Sequence, residues 1–471
     1  MFRLSPRAAT YGLASLLALA LACDLLWMPI QVGDSLGELL EARRSPSVLS
    51  SFEDSLHTTA YLRPFRIVQI KALFDLAQYS DFWLVFRGFH ALLISMAMFL
   101  FVRVLRVSTF TDFAAAAFAL VTLTGLHTFR GTVQEAFPIN HFLEILVCCL
   151  LALNLARSRG GVWVDTSAAV IFAAAALTLE SGLLVWVVAA AAWAVGWRGV
   201  STRGLGLITA LLLGYVYLRF VTLSTGMPAL AERSSGFWLS MLDPSELQQR
   251  FGSYPLVFYG YNVATSVMSV LFSEPQAGVF GAANAWLNDR LLPREVLPIV
   301  TSAVTTGLIF LAAARRLARR TEVDDTARFI MIGVAVLGAN AVLSFSYTKN
   351  DILSIAGTFY ALATYSAIRD GLLTAPAMQR ATRVAFAVLL CLLSVGWTIR
   401  SAGVHYVLRA QAFRHQADWV ALPGLWQRNG QWPSDLGEQR LVLQLRGDAI
   451  GLVLPNTRIG HPEWPSRTWT D

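Results

Sequence analysis

The chain has 471 residues, of which 55% are hydrophobic and only 14% charged; with a mean hydropathy of +0.54 this excludes a string of soluble domains and indicates an all-α polytopic membrane protein. The net charge of +7 does not point to nucleic acid, because the basic residues stand in small clusters at the ends of apolar runs, where loop charges set topology. Cys23, Cys148, Cys149 and Cys391 all fall within apolar runs, without zinc or redox spacing. The dominance of alanine and arginine suggests a GC-rich bacterial genome, and therefore a bacterial inner-membrane location.

The first apolar run, 9–30, follows Arg3 and Arg7. It is long for a signal peptide and contains Asp24, so it is read as an uncleaved helix that starts in the cytoplasm. Segment 31–81 is then a large first external loop, polar and too long for a mere connection. Run 82–102 returns to Arg103 and Arg106, 110–126 goes out, 127–140 forms a second external loop, and 141–156 returns to Arg157 and Arg159. Run 164–197 would measure about 50 Å as one helix, and arginines flank both its ends. That predicts a tight hairpin turning at Leu-Glu-Ser-Gly, 179–182.

Run 205–223 goes out again, into a third external region at 224–298. Within it, 257–272 is barely long enough to span and lies between Pro255 and Pro275; counted as a crossing, it would put Arg315–Arg320 outside, so it is read as re-entrant or interfacial. The last spans are 299–314, 329–345, 352–368 and 384–399, with Arg369, Arg380 and Arg383 inside. The sum is about 11 crossings, N-terminus cytoplasmic and C-terminus extracytoplasmic. A transmembrane domain, 1–402, then precedes a small extracytoplasmic tail, 403–471, of α/β-type or irregular structure, in which RLVLQLR and GLVLP read as short strands.

Asp34 follows the first span by a few residues, which suits a base taking a proton from a hydroxyl at the outer surface. It equally suits a helix start, with Ser35 and Glu38 at capping-box spacing. Glu53, Asp54 and His57 have the spacing of a metal or acid–base site, or of a solvated loop. Glu135, in the second external loop, lies on the same side as Asp34. Glu180 is a carboxylate within the apolar hairpin, either functional or keeping the turn open to water. Lys349 could hold an anionic lipid phosphate or snorkel at the interface. Arg63, Arg66 and Arg219 add positive charge at the outer face, whereas His90 and His127 are lone histidines not expected to bind metal.

In order along the chain, YLRPFRIVQIKALFDLAQYSDFWLVFRGFHALL, LHTFRGTVQEAFPINHFLEIL, TLESGLLV, YLRFVTL and SYTKND resemble the motifs of polytopic glycosyltransferases of the GT-C superfamily. Within that superfamily the chain resembles the protein O-mannosyltransferases that carry tetratricopeptide repeats, though it has no such repeats. The resemblance implies a membrane glycosyltransferase that takes a sugar from a polyprenyl-phosphate donor and places it on an extracytoplasmic acceptor hydroxyl. It implies Asp34 as base, Glu135 as a second active-site carboxylate, and Arg63, Lys349 and Arg219 as contacts to the donor phosphate. Glu53, Asp54 and Glu180 are accessory candidates. Asp34 is followed by Ser35 where many relatives have an acidic pair, and Leu179 replaces a lysine of the family. A divalent cation is compatible with this reading; the expected partners are membrane lipids, the lipid-linked sugar and a glycan, lipid or protein acceptor. The competing expectations are a non-catalytic lipid-linked glycan transporter or envelope polysaccharide assembly protein, and a structural membrane subunit.

Overall fold

The computed structural model describes residues 5–57, 61–77, 81–134, 139–223, 249, 252, 256–273, 285–319, 324–345 and 348–452; of Asp34, 293–295, 317 and 319 it describes the backbone alone. Among the described residues the regular structure is helical, with no strand. The helices are α1 (Pro6–Leu26), α2 (Asp34–Arg44), α3 (Val48–Leu56), α4 (Pro64–Ala77), α5 (Phe82–Leu105), α6 (Phe110–Gly125), α7 (His127–Gln134), α8 (His141–Ala156), α9 (Val162–Thr178), α10 (Leu184–Ala194) and α11 (Thr202–Tyr217). There follow α12 (Leu256–Phe272), α13 (Pro293–Arg319), α14 (Asp325–Leu343), α15 (Ser354–Thr374), α16 (Arg380–Arg428) and α17 (Leu436–Gly451).

Among the described residues, six helices are long and apolar enough to cross a membrane: α1, α5, α11 with its continuation to Thr222, α13, α14 and α16. The α6–α7 pair, bent by 56°, would make a seventh, and α8, α9, the 180–194 segment and α12 are shorter apolar helices.

Local sequence sets the ends of these helices. Ser5 caps α1 by accepting from the amide of Ala8, and Pro6 takes the first helical position, where its missing N–H costs nothing. Thr109 and Asp112 close a full capping box on α6. Pro29 helps to stop the chain from continuing α1, and the carbonyls left after it are answered from elsewhere. Arg87 of α5 donates to the oxygens of Met28 and Pro29, each at 2.8 Å, and Trp419 of α16 donates to Ile30 at 2.6 Å. Arg87 and Trp419 are both fully buried, so three consecutive backbone acceptors are satisfied away from water.

The run expected as a hairpin does go out and back. A 3-10 turn, Glu180–Leu183, separates α9 from α10, and Gly182 packs directly on the backbone of Ala175. At the far end Gly199 donates to the carbonyl of Ala156 and packs beside Gly160, while Asp165 accepts from the amide and hydroxyl of Ser201. The start and finish of the run therefore meet.

The polar segment 31–81 holds α2, α3 and α4, with Ser47 capping α3 and Pro64 opening α4. Two expectations are corrected. Helix α2 does start at Asp34, but its cap is Gly33 at φ 92°, so Ser35 and Glu38 form no capping box. RLVLQLR is not a strand: it lies within α17, whose buried positions Glu438, Leu441, Val442, Leu445 and Ala449 follow helical spacing. Only Gly451 and Leu452 of GLVLP are described; the rest lies outside the described residues. Residue 402, the expected domain boundary, lies within α16, a helix of 49 residues and about 73 Å.

The helices enclose two main cores. The larger runs through α1, α5, α6, α8–α11, α14, α15 and the first half of α16, and is rich in alanine at positions such as Ala115, Ala116, Ala119, Ala168 and Ala176. The second gathers at one end, where Leu36, Leu39, Ile70 and Phe74 of α2 and α4 meet Trp419 of α16 and Leu441, Val442 and Leu445 of α17. The opposite end carries a charge layer: Arg157 pairs with Asp325 at 2.5 Å, Arg369 with Asp112 at 2.6 Å, and Arg316 with both Asp324 and Asp370.

Candidate functional site

The site is built on α4, which follows the Tyr-Leu-Arg-Pro motif. Arg63 precedes Pro64, and residues 63, 66 and 69 lie three apart, so they share one face of the helix. Each reaches a different element. Arg63 donates to Glu180 Oε2 from Nε at 3.0 Å and from a terminal nitrogen at 2.5 Å, with its guanidinium over the Tyr61 ring at 4.0 Å. Arg66 pairs with Glu38 of α2. Gln69 donates to Glu144 of α8 at 2.6 Å, and His141 lies 3.8 Å from the same carboxylate.

Arg219 completes the group from the other side. After Tyr217 the helix widens into a π-turn, Leu218–Thr222, a distortion that often marks functional sites. There Arg219 is buried, donates to the Tyr215 hydroxyl at 3.1 Å, and stands 3.3 Å from Glu180 Oε1. Glu180 thus holds a guanidinium on each carboxylate oxygen, and the 3-10 turn after α9 presents it to both. Charge–charge attraction in such a partly dry setting is strong: Arg63 and Arg219 share Glu180, and Arg66 pairs with Glu38.

Three residues singled out from separate stretches of sequence, Arg63, Glu180 and Arg219, are therefore brought together. Asp34 is the first residue of α2, one helical turn before Glu38 and on the same helix face; its side chain lies outside the described residues. Glu135 also lies outside the described residues. The ends of its loop are fixed, because buried Asn140 donates to Thr132 O and caps α8 by accepting from the Leu143 amide. Lys349 pairs with buried Asp351 at 2.7 Å, and this segment packs on α7 at Gly131. Glu53 and Asp54 are exposed on α3 and do not join the cluster.

Glu144, Gln69 and His141 belong to the cluster without having been singled out. Glu144 could have been found as a carboxylate in the first turn of an apolar helix; Gln69 and His141 carry no comparable signal. Arg400, expected at the end of a span, is instead buried within α16 and donates to the hydroxyls of Thr301, Ser302 and Ser273. Among the described residues, no group of three or more His, Cys, Asp or Glu is arranged to hold a metal ion. Searches of family models, curated proteins and solved structures found no match to this chain.

Proposed function

We propose that the protein is a GT-C-type glycosyltransferase of a bacterial inner membrane, crossing it about 11 times with the N-terminus inside and the C-terminus outside. It transfers a sugar from a polyprenyl-phosphate donor to an acceptor hydroxyl at the external face. The observation that carries this reading is the meeting of Arg63, Glu180 and Arg219 from three sequence-distant motifs at one end of the bundle.

In this reading the acceptor oxygen forms a bond to the anomeric carbon as the bond from that carbon to the phosphate oxygen breaks. Asp34 takes the hydroxyl proton, and the leaving lipid phosphate carries away the electron pair. Arg63 and Arg219 neutralise that phosphate, which competes with the Glu180 carboxylate for their guanidiniums. Glu180 keeps the two cations parked and correctly spaced while the site is empty, and Lys349 supplies a further positive charge.

The test compares envelope glycans by mass spectrometry from a deletion strain complemented with wild type, Asp34→Asn, Glu135→Gln or Arg63→Gln, with membrane levels matched by immunoblot. Loss of one sugar in the wild-type comparison, unrestored by Asp34→Asn, supports transfer at this site. Full restoration by all three variants would sink it and favour a non-catalytic glycan transporter.

A further inference from the structure

The end of the bundle opposite the candidate site carries a second feature. The N-terminus of α1 and the C-termini of α5 and α8 surround a cleft of about 370 Å³, within the range of ligand pockets. Its wall includes Arg7, Arg103, Arg106 and Arg157 and, among the described residues, no carboxylate. Helix C-termini present carbonyls that would repel an anion, but two of them are occupied here: Arg157 donates to Val104 O, and Arg106 donates to Arg157 O. Asp325, which offsets Arg157, is not part of the lining. Arg7 and Arg103 are exposed and enter no ion pair among the described residues; Arg7 sits over the Tyr11 ring.

The cleft lies where the apolar stretches of α1 and α5 end, which is head-group level for a spanning helix. Beside it Phe99, one turn before Arg103 and packed on the Tyr11 ring of the lining, is 50% exposed. Basic pockets between spanning helices at such a level suit anionic head groups.

We infer that this cleft binds the phosphate of an anionic phospholipid at the membrane end remote from the proposed sugar-transfer site. Arg7 and Arg103 supply the free positive charge, Arg106 and Arg157 form a fixed cationic wall, and the exposed apolar flank of α5 accommodates the acyl chains.

The test is native mass spectrometry of the full chain in detergent, after incubation with phosphatidylglycerol or phosphatidylcholine. The wild type should retain phosphatidylglycerol preferentially, and the Arg7→Gln/Arg103→Gln double variant should lower that retention about tenfold. An Arg380→Gln/Arg383→Gln variant, which removes the same charge from exposed positions at the expected cytoplasmic end, should retain the lipid as the wild type does. Equal loss in both variants, or no preference in the wild type, would overturn the assignment. Displacement of the lipid by excess inorganic phosphate would assign the cleft to the free ion and overturn the lipid reading too.

Discussion

Glu180 is the residue on which the candidate site balances. Its two oxygens answer Arg63 and Arg219, both largely buried, so removing the carboxylate takes away the counter-ion they share. Breaking a buried pair on one side costs about 3–5 kcal/mol, far more than an exposed pair would. Glu180→Gln is therefore expected to lower the thermal midpoint by several degrees, read by fluorescence-detected size exclusion in detergent. Adding Arg63→Gln should restore part of the loss, because the second change removes one of the stranded charges. Additive losses would mean that the two residues do not depend on each other. None of this pairing was legible in sequence. Arg63, Glu180 and Arg219 each stood out singly, as external charges or as an intramembrane carboxylate, but nothing in a linear pattern says that two proposed phosphate ligands share one counter-ion 117 positions from the first.

At the scale of elements, the hairpin of α9 and α10 was legible and the helix α17 was not, and the difference is physical. A 34-residue apolar run with arginines at both ends cannot cross once, so length and charge together force a turn. RLVLQLR is seven residues, too short to separate a period of 2 from one of 3.6; the helical stripe emerges only when Glu438 and Ala449 are included. The hairpin turn makes a sharp prediction. A Cβ at Gly182 would lie 2.1 Å from the carbonyl oxygen of Ala175, which is backbone and has no rotamer to yield. Gly182→Ala should therefore open the turn, displace Glu180, and cost about 3 kcal/mol or more. Gly214→Ala, in α11 with open space around its Cβ, should stabilise by up to about 1 kcal/mol through helix propensity. Thermal unfolding in detergent separates the two, and equal effects would mean that close backbone packing at Gly182 does not hold the turn.

On the scale of the whole molecule, the two cores are held by different forces. Within a bilayer, burying apolar side chains gains little, so the larger core relies on close approach at small residues such as those of α6 and α9, and on pairs such as Arg369–Asp112 at its charged end. Most of the second core comes from α2, α4 and α17, which are not among the helices long and apolar enough to span, and there burial from water counts. Composition and arginine position made the membrane class legible, because both are local. The second core was not, because its parts come from opposite ends of the chain: α2 and α4 near the start, α16 and α17 near the finish.

That division predicts how the molecule fails when shortened. Leu441, Val442 and Leu445 of α17 are buried in the core that also holds Leu36, Leu39, Ile70 and Phe74 of the first-loop helices, with α17 packed chiefly on α16 and α5, and each is worth about 1.5–3 kcal/mol when buried from water. Arg44 adds a pair with Glu438 at 2.6 Å; the hydrogen bond to that carboxylate raises the guanidinium pKa above its ordinary value, but the side chain is too exposed to carry the contact alone. Truncation after Arg428 removes α17 while leaving the Trp419–Ile30 hydrogen bond and the Arg87 latch in place. The bundle should still insert and run as a monodisperse species in detergent. Segment 31–81 should become sensitive to limited proteolysis, with new cuts near Ser45 and His57, where α2 and α3 end. An unchanged cleavage pattern would mean that α17 is an appendage and that the first-loop helices hold Arg63 and Arg66 in place unaided. Cleavage confined to the expected sites would instead make the tail the lid that keeps α4, and with it the Arg63–Glu180–Arg219 group, in register.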